Sequence, residues 1–366
     1  MSTAPDDPPV PDGASLTTKS LGGVNMKTKL LASLAALAVS GVAAHSETLD
    51  MQSIYPNSLP LLGVAGAEMG ARVGRLTGGE LEINFHNPGE LVGSNEIWDA
   101  VSTGAVQAGW YSPGFAEGVI PSASLFTAFP FGPGAVEYTA WWYDGGGKEL
   151  WAEITAPYNI HSELCTILAP EASGWFREPI ESPEDLQGLK IRFFGLGASV
   201  MEKLGAQAQS LPVSDTMSAL NLGTIDAAEI SFPAIDQKIG MNQHASHYYF
   251  PGWHQQSSLI TFIINQDAWD GLEDSHKAAI EEVCAANVAK TIALGEVIQL
   301  GPLQELKDSG VTVHTWSDEM LAVFKEKWLE VAAEKSAEDA DFDRVWKHIS
   351  AFRANYEGWA DIGYLK

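Results

Sequence analysis

The chain has 366 residues, of which 47 are acidic and 21 basic, for a formal charge of −26. That balance argues against nucleic acid or an anionic membrane as a partner, because both would repel it. The part that follows an export signal spans about 320 residues, too long for one simple core and suited to two lobes.

The export signal is read from Met26. Lys27 and Lys29 supply the positive start, Leu30 to Val39 the apolar stretch, and Val42-Ala43-Ala44 a small-residue cleavage site, so the mature chain is expected to begin near His45. The apolar stretch is too short to anchor in a bilayer. The preceding 25 residues hold four prolines and no hydrophobic period, which suits either a start codon placed too early or a disordered extension. No later segment is expected to cross a membrane. The mature protein is expected to be soluble and exported, and periplasmic in a Gram-negative source.

Short strands then alternate with helices. Leu49–Ile54 reads as a strand, and Leu62–Leu76 as a helix closed by Thr77-Gly78-Gly79. Leu81–His86 alternates as a strand, Asn95–Thr103 is a short helix, and Ala105–Tyr111 is a buried strand. This rhythm predicts a mostly parallel sheet with helices on both faces. Trp141–Trp151 reads as a helix interrupted by Gly145-Gly146-Gly147, and Ile160–Ala169 as a strand that crosses between lobes.

The second lobe opens at Trp175-Phe176-Arg177. Ser182-Pro183-Glu184-Asp185 carries the residues of a helix start. Leu189–Phe194 is a strand, Asp215 caps a short helix that stops at Gly223, and Thr224–Ser231 is another strand. Leu259–Asn265 is a strand, and 273–307 is a long helix with one break near Gly295 or Gly301. Val311–Trp316 is a strand, and two last helices run over 319–335 and 342–356. The fold class is α/β: a two-lobe, type II-like binding-protein fold with a hinge. The first lobe takes residues 45–168 with 255–290 and the second 169–254. Residues 1–44 form the upstream extension and signal, and 291–366 form C-terminal helices packing across both lobes. Cys165 and Cys284 can form a disulfide after export or remain two buried thiols.

Arg192 draws attention because it sits in an apolar, strand-like run of a strongly acidic chain. A guanidinium cannot be desolvated there without an anionic partner. That partner is either a structural carboxylate or a visiting anion gripped by two parallel hydrogen bonds. Glu171, Glu229 and Gln255 lie at ends of expected strands, where ligand sites of open α/β sheets collect. Around Arg192 they could hold a hard cation through oxygen atoms. Trp175, Trp253 and Phe194 could wall a pocket, although aromatics at such positions are more often core.

No catalytic motif survives. Gly195-Leu196-Gly197 resembles the start of a dinucleotide fingerprint, but Val200 stands at the third glycine position. His244 and His247 have spacing for a zinc pair but no third ligand nearby. Nucleophile-elbow and zinc-protease motifs are absent. The chain is therefore expected not to be an enzyme. An exported enzyme using Glu171 and Glu229 as a carboxylate pair is one alternative, and a receptor for a neutral or zwitterionic solute without metal is another.

Three stretches carry a resemblance: Gly174-Trp175-Phe176-Arg177-Glu178-Pro179-Ile180, Asp185-Leu186-Gln187-Gly188-Leu189-Lys190-Ile191-Arg192, and Leu222-Gly223-Thr224-Ile225-Asp226-Ala227-Ala228-Glu229. With Tyr248-Tyr249-Phe250-Pro251-Gly252-Trp253, they resemble the substrate-binding subunits of tripartite ATP-independent periplasmic (TRAP) transporters, the DctP family, in its 2-oxo or 2-hydroxy monocarboxylate branch. The resemblance implies capture of a small organic acid and delivery to the small and large membrane permease subunits. It implies that Arg192 clamps the ligand carboxylate and that a sodium or calcium ion bridges protein and ligand. Glu171, Glu229, the Ile230 carbonyl and Gln255 would hold that ion, with Trp175, Trp253 and Tyr111 as further substrate-binding residues. It also implies a homodimer through the C-terminal helices. The family pattern places Gln where Glu171 stands and Glu where Gln255 stands, so the carboxylates are exchanged between positions. Ile230-Ser231-Phe232-Pro233-Ala234-Ile235 and the altered loop near Tyr111 to Phe115 make the expected pocket more apolar.

Overall fold

Eleven strands, numbered in chain order, form two sheets in the computed structural model, which describes residues 46–365 apart from Pro212. The export signal from Met26 lies outside the described residues. The first sheet runs β2 (Leu81–His86), β1 (Glu47–Ser53), β3 (Ala108–Tyr111), β10 (Ser258–Asn265), β4 (Ile160–Leu168). β1 is parallel to β2 and β3, and β10 is antiparallel to both its neighbours. The near-continuous apolar run of β10 fits its central place, where every residue is buried. The second sheet runs β11 (Thr312–Thr315), β9 (His247–Phe250), β5 (Gly174–Phe176), β8 (Ala227–Ala228), β6 (Lys190–Arg192), β7 (Gln207–Gln209).

The chain thus passes from the first sheet to the second after β4 and returns before β10. These two crossings, residues 169–173 and 251–257, are hydrogen-bonded to each other: the Gly252 N–H donates to the Glu171 carbonyl at 2.9 Å, and the Glu171 N–H to the Gln255 carbonyl at 3.3 Å. Gly252 allows this approach, since a Cβ there would lie 2.3 Å from the Glu171 carbonyl oxygen. The Phe250–Pro251 peptide is cis.

Several boundaries differ from expectation. The strand expected over 224–231 shortens to β8, because beyond Ala228 the chain leaves the sheet. The Glu229 N–H still donates to the Arg192 carbonyl, but Ser231 accepts from Ala172 on the crossing. The interrupted helix at Trp141–Trp151 is two helices, Ala135–Tyr143 and Gly147–Thr155. The long helix breaks after Val297, not at Gly295 or Gly301. Gln299 stands in the gap, and its side chain donates to the Gly295 carbonyl and accepts from the Ala234 N–H. Asp274–Asp308 is, against expectation, long and apolar enough to cross a membrane by length and composition. Its first part packs on β4 and on the helix Gly63–Leu76.

Cys165 of β4 and Cys284 of that helix are joined as a disulfide, which resolves the choice between bond and thiols. The C-terminal part is not helix alone, because β11 forms an edge of the second sheet, and the expected boundary at 290 falls inside the helix Asp274–Val297. Ser317 caps Asp318–Glu338 by accepting from the Met320 N–H, and Asp339 caps Ala340–Gly363 by accepting from the Phe342 N–H. The first of these helices packs on Leu196–Lys203 of the second lobe. The second packs on the turn Pro121–Phe126 of the first.

Candidate functional site

The two crossings bring the site residues together. Glu171 lies on the first, His254 and Gln255 on the second, and Glu229 and Arg192 at the ends of neighbouring strands β8 and β6. Glu171, Glu229, Arg192 and His254 are all less than a tenth exposed.

Arg192 is paired with a protein carboxylate, one of the two partners that the sequence left open. Its Nη1 donates to Glu229 Oε2 at 2.7 Å and to the Glu229 carbonyl, and its Nε donates to the Leu211 carbonyl at 3.2 Å. The reading of a structural carboxylate partner is therefore correct as far as Glu229 goes. Among the described residues Nη2 makes no hydrogen bond. The Phe194 N–H also points at Glu229 Oε2, at 3.3 Å.

The two carboxyls are pushed in opposite directions. Burial, then the neighbouring Glu229, push the Glu171 carboxyl well above its ordinary pKa, with Ser231 opposing. Burial acts on Glu229 too, but the Arg192 charge, aided by His254 and the Phe194 N–H, outweighs it and holds that group below the ordinary range. A positive charge placed between them would favour the charged form of both. Ser231 Oγ donates to Glu171 Oε1 at 2.9 Å. Each carboxylate thus has one oxygen held by the protein. The other two, Glu171 Oε2 and Glu229 Oε1, lie 3.9 and 3.5 Å from His254 Nε2. This donor set fits a cation, whose charge would offset the second buried carboxylate.

The other expected residues fare differently. The Gln255 main chain is tied to Glu171 and Gly252, with no side-chain hydrogen bond among the described residues. Ile230 is half-buried between Glu229 and Ser231. Trp175 is fully buried in the second lobe, stacked on Tyr248 at 3.9 Å, with its Nε1 donating to Asp236 at 2.8 Å. Trp253 is likewise core, stacked between Phe324 and Phe193. Tyr111 is buried against Trp98 and Phe115. Large aromatic area favours burial over lining a wet cleft. Phe194 does reach the first lobe, where its ring lies 4.7 Å from that of Phe115.

Two residues went unnoticed in the sequence. Tyr55, just past β1, is half-buried, and its hydroxyl lies 2.9 Å from Ser112 Oγ. Burial raises its pKa, and the charges of Glu171, Arg192 and Glu229 all reach it. Its position after a parallel strand was the available signal. His254 was hidden between Trp253 and Gln255. Gly197 makes room for it, since a Cβ there would lie 2.9 Å from the His254 Cβ and 2.4 Å from the Phe193 ring. The Gly195-Leu196-Gly197 run thus serves close packing of the helix start.

A buried arginine and two buried carboxylates, gathered where the chain crosses between two lobes, define the class of two-lobe ligand-binding proteins. The chain belongs to family 7 of the bacterial extracellular solute-binding proteins, DctP, whose model matches residues 52–339. It is 31% identical over 316 residues to the monocarboxylate 2-oxoacid-binding periplasmic protein of Nostoc sp., covering 86% of each chain. A TRAP transporter solute-binding protein of Bordetella bronchiseptica, solved as a dimer with calcium and picolinate, superposes with a TM-score of 0.84 at 32% identity, covering 87% of this chain and 94% of that one. One from Pseudoalteromonas atlantica, with sodium and pyruvate, gives 0.82 at 27% identity, covering 86% and 96%. The family is one of transport receptors and not of enzymes.

Proposed function

We propose that this receptor captures a small 2-oxo or 2-hydroxy monocarboxylate between its lobes and delivers it to the TRAP membrane subunits. The observation that carries this reading is the juxtaposition of buried Arg192 with Glu171 and Glu229 at the interlobe crossings. Glu171 and Glu229 would hold a cation in this pocket. Ile230 and Gln255, expected as further ligands, belong to the same segments. When bound, the cation supplies a positive charge that attracts the acid's oxygens. Arg192, shared with Glu229, offers its remaining edge to the ligand carboxylate. Closure of the lobes excludes water and strengthens both attractions.

The relatives' ligands, pyruvate, picolinate and 2-oxoacids, support this class. Export from Met26 and a homodimer through the C-terminal helices complete the proposal. The exposed Trp359, Ile362 and Leu365 near the chain end supply apolar surface for a partner copy. Native mass spectrometry of the purified protein tests the reading. It should retain one small organic acid per chain, and recovery of a neutral solute in its place would overturn it.

A further inference from the structure

We propose that Phe194, with Phe115 facing it from the first lobe, forms an apolar gate that sets which acids this receptor takes. The gate admits 2-oxo and 2-hydroxy acids with a tail of one or two carbons and rejects branched and dicarboxylic ones. The proposal rests on the reading of the site above and adds the residues that select among such acids.

The backbone aims Phe194 at the site. Strand-like pairing continues past β6, because the Phe193 N–H donates to the Gln209 carbonyl at 3.1 Å. Side chains alternate along such a chain, so Phe194 shares a face with Arg192 and Phe193 takes the opposite one. Phe193 is accordingly buried against Trp253, while Phe194 stays half-buried. The Phe194 N–H reaches Glu229 Oε2, the oxygen that Arg192 also holds. The opposing ring belongs to the first lobe. Phe115 lies in the turn Pro113–Ala116 that follows β3, a parallel strand, at the end where ligand sites of α/β sheets collect. Thr127 Oγ1 accepts from the Gly114 N–H and fixes that turn.

The two rings meet at 4.7 Å between centroids and 37° between planes, a favourable aromatic contact. Gly114 permits the approach, since a Cβ there would lie 3.2 Å from the tip of the Phe194 ring. Phe115 is 39% exposed, so the pair stands at the rim of the cleft and not in either core. Phe194 lies two residues beyond Arg192, about 6.6 Å along the chain at about 3.3 Å per residue. An acid whose carboxylate rests on Arg192 and whose 2-oxygen rests on the cation points its tail away from the crossings, toward these rings. A methyl or ethyl tail meets apolar surface there. A branched tail needs the space that the rings fill. A second carboxylate would be desolvated against phenyl groups that offer it no hydrogen bond.

The test is calorimetric titration of the purified protein, in calcium, with pyruvate, 2-oxobutyrate, 2-oxoisovalerate and 2-oxoglutarate. The parent should bind the first two within about tenfold of each other and the last two roughly 100-fold more weakly. Phe194→Ala should weaken pyruvate by up to about tenfold, through loss of the contact between lobes, and bring 2-oxoisovalerate to within about tenfold of it. Phe115→Ala, in a surface turn, should move the same ratio in the same direction, and it decides the matter where Phe194→Ala fails to fold. The ratio of dissociation constants is the deciding readout, because a merely structural loss weakens both acids alike. A parent that binds 2-oxoisovalerate as tightly as pyruvate, or ratios unchanged by the substitutions, overturns the gate and leaves the monocarboxylate reading standing. A parent that takes none of the four acids overturns that reading and the gate with it.

Discussion

Removing Arg192 tests the electrostatic centre of the site. In Arg192→Ala the Glu229 carboxylate, only 3% exposed, loses a partner at 2.7 Å. Breaking a buried pair in this way costs about 3–5 kcal/mol. With an unfolding entropy near 2.1 cal/mol/K per residue, about 320 residues convert this to a fall of roughly 5–7 °C in melting temperature. Most of the loss is the stranded charge, not the missing contact. The double variant Arg192→Ala/Glu229→Gln should therefore regain much of the stability while still failing to bind the acid. For ligand binding the same loss exceeds a hundredfold in Kd. Arg192→Lys should also bind poorly, because its point charge cannot keep Glu229 and grip a carboxylate together. Calorimetry and thermal melts at pH 7 measure both effects. A double variant no more stable than the single one, or Arg192→Ala binding as tightly as the parent, would refute the reasoning.

Asp236 is buried under Trp175 and Tyr248, and burial is the main reason its pKa rises from 3.8 to about 7. A raised carboxyl stabilises the fold below its unfolded pKa and loses that contribution as pH climbs through the folded one. Asp236→Asn should remove a loss that reaches about 4 kcal/mol by pH 8 and flatten the melting profile between pH 4 and 7. Reducing Cys165–Cys284, which closes a loop of 119 residues, should cost about 2–4 kcal/mol, read as a lower denaturation midpoint under reductant. Gly252→Ala forces a methyl onto the Glu171 carbonyl, so the crossings must separate. It should lower stability by about 1–3 kcal/mol and weaken ligand binding as well, which melts and titration would read together.

The two-lobe layout was legible because periodicity and turn residues marked most elements: Leu81–His86 matches to the residue, and Gly63–Leu76 within one. Strand β8 was overestimated because Ile225 to Ile230 is apolar enough for a longer strand, while its length is limited by the chain's exit toward Glu229. The pairing of Arg192 with a protein carboxylate was an open alternative in the sequence. The identity of Glu229 needed the register of β6 against β8, which sets Arg192 opposite Ala228. The burial of Trp175 and Trp253 was not legible, because an aromatic beside a strand end reads the same whether it faces cleft or core. His254 could not be found from spacing, because its partners lie 83 and 25 residues away and meet it only where two crossings touch.

The most direct test of the central claim is titration of pyruvate into chelator-treated protein before and after metal is restored. The account predicts tight binding, one acid per chain, only with the metal present, and its loss in Arg192→Lys. Equal affinity with and without metal, or in that variant, would contradict it.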